Sequence, residues 1–397
     1  MLPTIAILGG SSPFTVALVD ALAADARVPA ACLVLQGRSV RSLELVSQYA
    51  THRLRSVGWQ IRTTADIDAA LDGAEIIVHQ VRYGGMEGRA QDEQLAAECG
   101  APPDETLGPA GLQAALRAAD ELDALGERVA RVAPQAWLLN LTNPLSIATA
   151  MLARHVGQRC IGLCELPWQT VREACELLHV EPEAAHWCYA GLNHRGFVYR
   201  LSSGGDDLLA RLAALPPETS IGGIDVDTIC QLGALPVKYF RLMLGGNVIP
   251  GGRAAVLADL RTQILQELDD DPHRTPPSLA QRATPWYPLS VVPVIASILC
   301  DDGRRHVASV IHGDIAVERP VAIRGAGWQM VDQPPPGAAV NDWIERFTAH
   351  EQAALAAVRA PDRDRIARAV ELDPLTPAGM SGPIADRLSA LWCRSHA

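Results

Sequence analysis

Residues 4–15 read TIAILGGSSPFT, and the rest of the chain is interpreted outward from them. A short apolar run such as residues 4–8, bounded by glycine, predicts a buried strand. Gly9 and Gly10 permit a tight turn and close backbone approach. The Ala/Leu-rich residues 15–25 behind them are spaced for a helix. A helix amino terminus flanked by Ser11 and Ser12 can hold a pyrophosphate. The stretch is not a full GxGxxG, and an ordinary strand-to-helix turn is the plainer reading. Its position after the first strand favours nucleotide binding.

The same alternation continues. Residues 32–36, 74–81, 136–141 and 159–164 read as buried strands, and 86–99 and 111–132 have apolar residues at helical spacing. Uninterrupted apolar strands alternating with helices predict a parallel sheet covered on both faces. After about residue 190 the pattern changes. GFVYRLSS (196–203) alternates like an antiparallel strand, and helices are predicted over 207–214, 253–268 and 341–358. The acidic ELDDD (267–271) reads as a solvated helix end. The expected fold is α/β: a Rossmann-type doubly wound sheet in residues 1–190, then an α+β domain in residues 191–397 that closes the site.

A chain of 397 residues suits two domains, and a net charge of -11 argues against a nucleic-acid partner. Nine cysteines at irregular spacing, with no CxxC pair, suggest free thiols in a reducing cytoplasm. The amino-terminal apolar run is too short for a signal peptide and no stretch approaches a membrane span, so no membrane partner is expected.

At the end of the second strand, LVLQGRSVRS carries no acid to bind a ribose. Gly37 stands there instead, followed by Arg38 and Arg41. An arginine at this point can accept a 2′-phosphate, so NADP is expected to be tolerated or preferred to NAD. The alternative is that both arginines are merely exposed.

Several segments together resemble glycoside hydrolase family four. They are VRYGGMEGRAQDEQL (81–95), ETLGPAGL (105–112), NLTNPLSIAT (140–149), GLCELP (162–167), GLNHRGF (191–197), LPVKYF (235–240) and GGRAAVLADL (251–260). VERPVAI (317–323) and APDRDRIARAVELDPL (360–375) extend the likeness nearly to the end. The 6-phospho-β-glucosidase branch is the most similar. The resemblance implies a fold like that of lactate and malate dehydrogenases, a nicotinamide cofactor (NAD+), a divalent metal (manganese foremost) and a homodimer or homotetramer. It also implies an unusual hydrolysis, outside the two-carboxylate scheme. Hydride leaves carbon 3 of the sugar, a base takes the acidified proton at carbon 2, and the aglycone is eliminated. Water then adds and the hydride returns.

Carried over residue by residue, the resemblance implies Cys164 and His194 as metal ligands. An isolated Cys/His pair would sooner be core packing. Tyr239 matches the base, a role that needs a nearby cation, such as the metal or Arg253, to lower the phenol's pKa. Leu242 and Met243 replace tyrosines usual in the family. Asn143, Arg89 and Arg253 match substrate-binding residues. Arg82 is a further candidate, for which a surface salt bridge is an equal reading. A sugar phosphate would explain their convergence.

Glu165 departs from the pattern. Several α-acting members have an aspartate here, thought to protonate the leaving group, while β-acting ones often have asparagine. Glu165 could be that acid, hold a water, or pair with Arg195. PPDETLG (102–108) also departs from the usual glutamine-containing loop. An α-acting glycosidase of the same family, a 2-hydroxy-acid dehydrogenase on the same fold and a non-catalytic nucleotide-binding regulator are the competing readings. Retention of Cys164, His194 and Tyr239 argues against the last.

Overall fold

The computed structural model describes residues 2–245 and 251–395. Strands β1 (Thr4–Leu8), β2 (Cys32–Gln36) and β3 (Gln60–Thr64) alternate with helices α1 (Thr15–Ala24), α2 (Val40–Leu54) and α3 (Ile67–Leu71). Strand β4 (Ile76–His79) leads into the adjacent helices α4 (Gly85–Cys99) and α5 (Gly108–Val132). Strands β5 (Trp137–Asn140) and β6 (Cys160–Gly162) follow, with helices α6 (Leu145–Val156) and α7 (Leu166–Leu177) after them. These six strands are parallel, in the order β3-β2-β1-β4-β5-β6. That is the order of a dinucleotide-binding sheet, with its crevice beyond the carboxyl ends of the strands.

Successive residues of a strand face opposite sides, and β1 uses both. Ile5 and Ile7 enter one core with α1, α2 and Leu139, whereas Ala6 and Leu8 enter the other with Leu112, Leu116 and Leu138. Burying each such Leu or Ile side chain stabilises the fold by about 1.5–3 kcal/mol. The exception is β3. Its QIRTT is largely exposed because it forms the sheet's edge, and its polar residues give no apolar signal in the sequence.

The second half begins with a hairpin, β7 (His186–Leu192) and β8 (Arg195–Ser203), joined by Asn193 and His194. Short elements follow: β9 (Asp206–Asp207), α8 (Leu208–Ala213), β10 (Ser220–Ile221), β11 (Ile224–Asp225), α9 (Val226–Leu232) and β12 (Leu235–Pro236). Next come helices α10 (Arg253–Asp270) and α11 (Val292–Cys300), then strands β13 (Arg305–His312), β14 (Ile315–Arg324) and β15 (Gly327–Met330). Helices α12 (Ala338–Arg359), α13 (Arg363–Leu372) and α14 (Ser381–Ser395) end the described chain.

The two halves share one sheet. Strand β13 pairs antiparallel with β6 through Ser309 and Gly162, and the order continues β13-β14-β7-β8-β12. A side chain at Gly162 would lie 2.5 Å from Thr149 Oγ1 and 3.0 Å from Ser309 Cβ, so only glycine fits this seam. All nine cysteines are free. Among the described residues no helix is long and apolar enough to cross a membrane.

Candidate active site

The glycine turn is built as the sequence requires. Gly9 has φ +87, and a side chain there would meet the Gln80 carbonyl at 3.1 Å. One at Gly10 would meet the backbone of Ile7 and Leu35 at 3.0 Å. Ser11 and Ser12 are half-buried. No side chain caps α1. Gln80 ties the turn to the second half, donating to Thr15 Oγ1 at 2.9 Å and accepting from the Tyr287 hydroxyl at 2.7 Å.

At the end of β2, Gln36 is turned inward onto the Ala65 carbonyl. Gly37 abuts Ser11: a Cβ there would lie 2.4 Å from its hydroxyl oxygen. Arg38 is exposed, whereas Arg41 pairs with Asp269 of α10 and with Glu44.

Beyond the carboxyl ends of β4 and β5 lies a polar network. The buried Asn140 accepts from Thr142 N and faces His79 Nδ1 at 2.9 Å, while its amide nitrogen donates to Thr149 Oγ1 at 3.1 Å. This holds the turn that presents Asn143. Burial keeps His79 neutral, with its pKa lowered to about 4.

Glu105 is the hub that sequence reasoning missed. It accepts from Arg82 at 2.5 Å, Arg89 at 2.5 Å and Asn143 at 3.0 Å. Burial alone would raise its pKa, but the guanidiniums of Arg82 and Arg89 hold it well below the carboxylate range. Arg89 also pairs with the buried Glu93 at 2.8 Å. Glu93 in turn accepts from Gly252 N and Ala254 N, capping α10 from another helix. Arg253, exposed at the start of α10, is thereby held on the Arg89 side of the site. Arg282, also missed, lies over the rings of Phe14 and Trp286, 4.4 and 5.1 Å from their centroids. Burial first, then Arg82 and Arg253 as like-charged neighbours, lower its pKa. Glu105 is the carboxylate that Arg82 and Arg89 share. Its signal was its place in ETLGPAGL, but its three donors come from separate segments.

Cys164 lies two residues beyond β6, and Glu165 is the N-cap residue of α7. The Cys164 sulfur is 3.7 Å from a Glu165 carboxylate oxygen. Burial, then the charges of Glu165 and Glu318, push its thiol well up. His194 sits at the hairpin tip with φ 62, a left-handed conformation uncommon for a side-chain-bearing residue. It is buried, and its Nδ1 has no hydrogen-bond partner. Burial lowers its pKa to about 4, with Glu165 and Glu105 opposing. Its ring stacks on Tyr239. Tyr239 packs against the Leu107, Leu242 and Leu375 cluster together with Met243, which forms the wall behind it.

Two sequence expectations are corrected here. Arg195 does not pair with Glu165. It is buried, bonded to Glu351 of α12 and 2.8 Å from His350 Nδ1. Nor is Arg253 among the groups that act most strongly on the Tyr239 phenol; the cation over its ring is Lys238, whose Nζ lies 5.7 Å from the ring centroid. Burial raises the phenol's pKa, and Asp104, Cys164, Glu105 and Glu165 raise it further.

The donor set suits a metal. A half-buried thiol and a neutral imidazole with a buried unpaired nitrogen are donors a divalent cation takes; among the described residues only Asp123, Glu127 and His155 bring three such donor groups within 4.8 Å of one another. Too few protein ligands are present for a closed structural site, which leaves positions for a substrate.

The sequence profile of the "Family 4 glycosyl hydrolase" matches residues 4–180, and that of the "Family 4 glycosyl hydrolase C-terminal domain" matches residues 189–376. The chain belongs to family 4 of the glycosyl hydrolases. Family membership makes it a glycosidase. It is 25% identical over 409 residues to the "Probable 6-phospho-beta-glucosidase" of Bacillus subtilis, covering 94% of this chain and 92% of the relative. The 6-phospho-beta-glucosidase of Thermotoga maritima, solved with manganese, NAD+ and glucose-6-phosphate, has the same fold, with a TM-score of 0.86 at 20% identity. That match covers 100% of this chain and 99% of the other. A 6-phospho-alpha-glucosidase from gut microorganisms, solved with NAD and Mn2+, has a TM-score of 0.85 at 18% identity and covers 100% and 98%. Malate dehydrogenase of Plasmodium falciparum has a TM-score of 0.52 at 15% identity, covering 90% and 98%, so the dehydrogenase-like fold is shared.

Proposed function

We propose that this family 4 glycosidase hydrolyses 6-phospho-β-glucosides by redox-assisted elimination and addition, with NAD+ and Mn2+ as cofactors. The observation that supports this reading is that Cys164 lies against Glu165 and His194 stacks on Tyr239, with the Glu165 charge acting on both rings. A dehydrogenase acting on hydroxy acids has no use for a thiol ligand beside a buried phenol.

Cys164 and His194 would hold the metal, which would supply Lewis acidity and a positive charge that lowers the Tyr239 pKa. The glycine turn, Ser11 and Ser12 would hold the dinucleotide, which supplies the hydride acceptor. Tyr239 removes the proton at carbon 2. Glu165, which makes no hydrogen bond to an arginine among the described residues, would hold or deliver a proton at the leaving oxygen. Asn143 and Glu105 present an amide and a carboxylate to sugar hydroxyls. Arg82 and Arg253 both act as like charges on Arg282, and Glu105 attracts Arg82 and Arg282; a sugar phosphate would offset the repulsion among the arginines.

The test is hydrolysis of nitrophenyl 6-phosphoglucosides of both anomers with NAD+ and manganese in deuterated water. Release of nitrophenol with deuterium at carbon 2 and no net cofactor reduction is expected. Cleavage that survives removal of cofactor and metal sinks the mechanism. Preference for the α anomer refutes the β assignment alone.

A further inference from the structure

Glu318 of β14 is 1% exposed and pairs in register with Gly191 of β7. Its two oxygens accept from different donors, Oε2 from the Tyr189 hydroxyl at 2.7 Å and Oε1 from Asn193 Nδ2 at 2.9 Å. Both donors are neutral. Arg195 acts on Glu318 through space but directs its own hydrogen bonds to Glu351 and His350. Burying a carboxyl costs free energy unless its hydrogen bonds are made, and both oxygens of Glu318 are used, which ties it firmly to Tyr189 and Asn193.

Asn193 immediately precedes His194, and its amide also acts on the Cys164 sulfur. A carboxylate only accepts, so Glu318 dictates which end of the Asn193 amide is nitrogen. That leaves Asn193 Oδ1 and His194 Nδ1 buried without partners. The sequence makes room for the arrangement. A Cβ on Gly196 would lie 1.9 Å from the Tyr189 hydroxyl, and one on Gly191 would lie 2.4 Å from Gly196 Cα. Both glycines let the phenol reach Glu318.

We infer that Glu318 is a positioning residue for the metal site. It fixes the Asn193 amide and, through it, the turn that carries His194. This rests on the reading of Cys164 and His194 as metal ligands.

Manganese titration of the full chain, followed by electron paramagnetic resonance, tests it. Glu318→Gln should weaken manganese binding about 10–100-fold, as loss of outer-shell partners does, and leave the NAD+ dissociation constant unchanged. In the cobalt-substituted protein the thiolate-to-cobalt charge-transfer band should weaken. Tyr189→Phe, which keeps the Asn193 contact, should bind manganese nearly as the unaltered protein does. Unchanged manganese affinity in Glu318→Gln overturns the inference and leaves the metal site standing. Where that variant does not fold, Asn193→Ala carries the same reading, and unchanged affinity there overturns it. Absence of Cys164-dependent manganese binding in the unaltered protein overturns both the site and the inference.

Discussion

The imidazole of His194 lies flat on the phenol ring of Tyr239, with centroids 4.1 Å apart and planes 4° from parallel. A stacked pair of this kind contributes about 0.5–1.5 kcal/mol beyond buried area. It also couples the proposed ligand to the proposed base. Tyr239→Phe should keep the stack and the manganese affinity while lowering kcat by about 10²–10⁴, the usual worth of a general base. Tyr239→Ala should lose manganese affinity as well. Equal manganese binding by the two variants would show that the stack does not support the ligand.

Glu105 holds Arg82, Arg89 and Asn143 together. Glu105→Gln should raise KM for a phosphorylated glucoside and lower stability at neutral pH by about 1–3 kcal/mol, because charged donors lose their acceptor. The pH dependence has a definite sign. The folded carboxyl titrates below its ordinary range, so its contribution is present above that range and is lost as pH falls through the folded value. Urea denaturation should show the difference between the variants persisting at pH 5 and disappearing only in stronger acid, below the ordinary carboxylate range.

Asp104 behaves oppositely. It caps the approach to α5, accepting from Thr106 N at 2.8 Å and Leu107 N at 2.9 Å, yet burial raises its pKa to about 6. Its stabilising contribution is complete below the unfolded value of 3.8 and is lost as pH rises through about 6. Asparagine caps equally well without a charge. Asp104→Asn should therefore stabilise the protein at pH 7, by up to about 3 kcal/mol, and have little effect at pH 3.5. Denaturation midpoints at the two pH values decide it.

Cofactor choice turns on Gly37 and Arg38. Gly37 is pressed against Ser11 and offers no carboxylate, while Arg38 is exposed beside it. NADP+ should bind at least as tightly as NAD+ in a fluorescence titration, and Arg38→Ala should weaken NADP+ by about tenfold while sparing NAD+, the loss of a charge-assisted contact. A clear NAD+ preference in the unaltered protein would refute this reading. Arg41, tied to Asp269, should matter little.

Much of the parallel sheet was legible because strands covered on both faces must be apolar throughout. β1, β2, β4 and β5 read that way. β3 did not, since an edge strand can afford polar residues. β13 and β14 mix apolar and polar residues because they join the halves through a long antiparallel ladder. The site was less legible for a different reason. Glu105 and Glu318 gain their meaning from donors far away in sequence, which no local spacing encodes. Arg195 was misassigned because adjacency to His194 says nothing about direction. The turn ends between them, and Arg195 opens β8 pointing toward α12.

The seam at Gly162 and Ser309 has a mechanical meaning. Cys164 lies just past β6, His194 lies at the end of β7, and the ladder between those strands is β13 and β14. The span between the two side chains is thus set by continuous hydrogen bonding, as a beam sets the distance between two posts. Among the described residues the halves are joined in one sheet, so parting them would break its ladder. Admission and release then fall to loops around a fixed frame, and the frame itself should melt as one body.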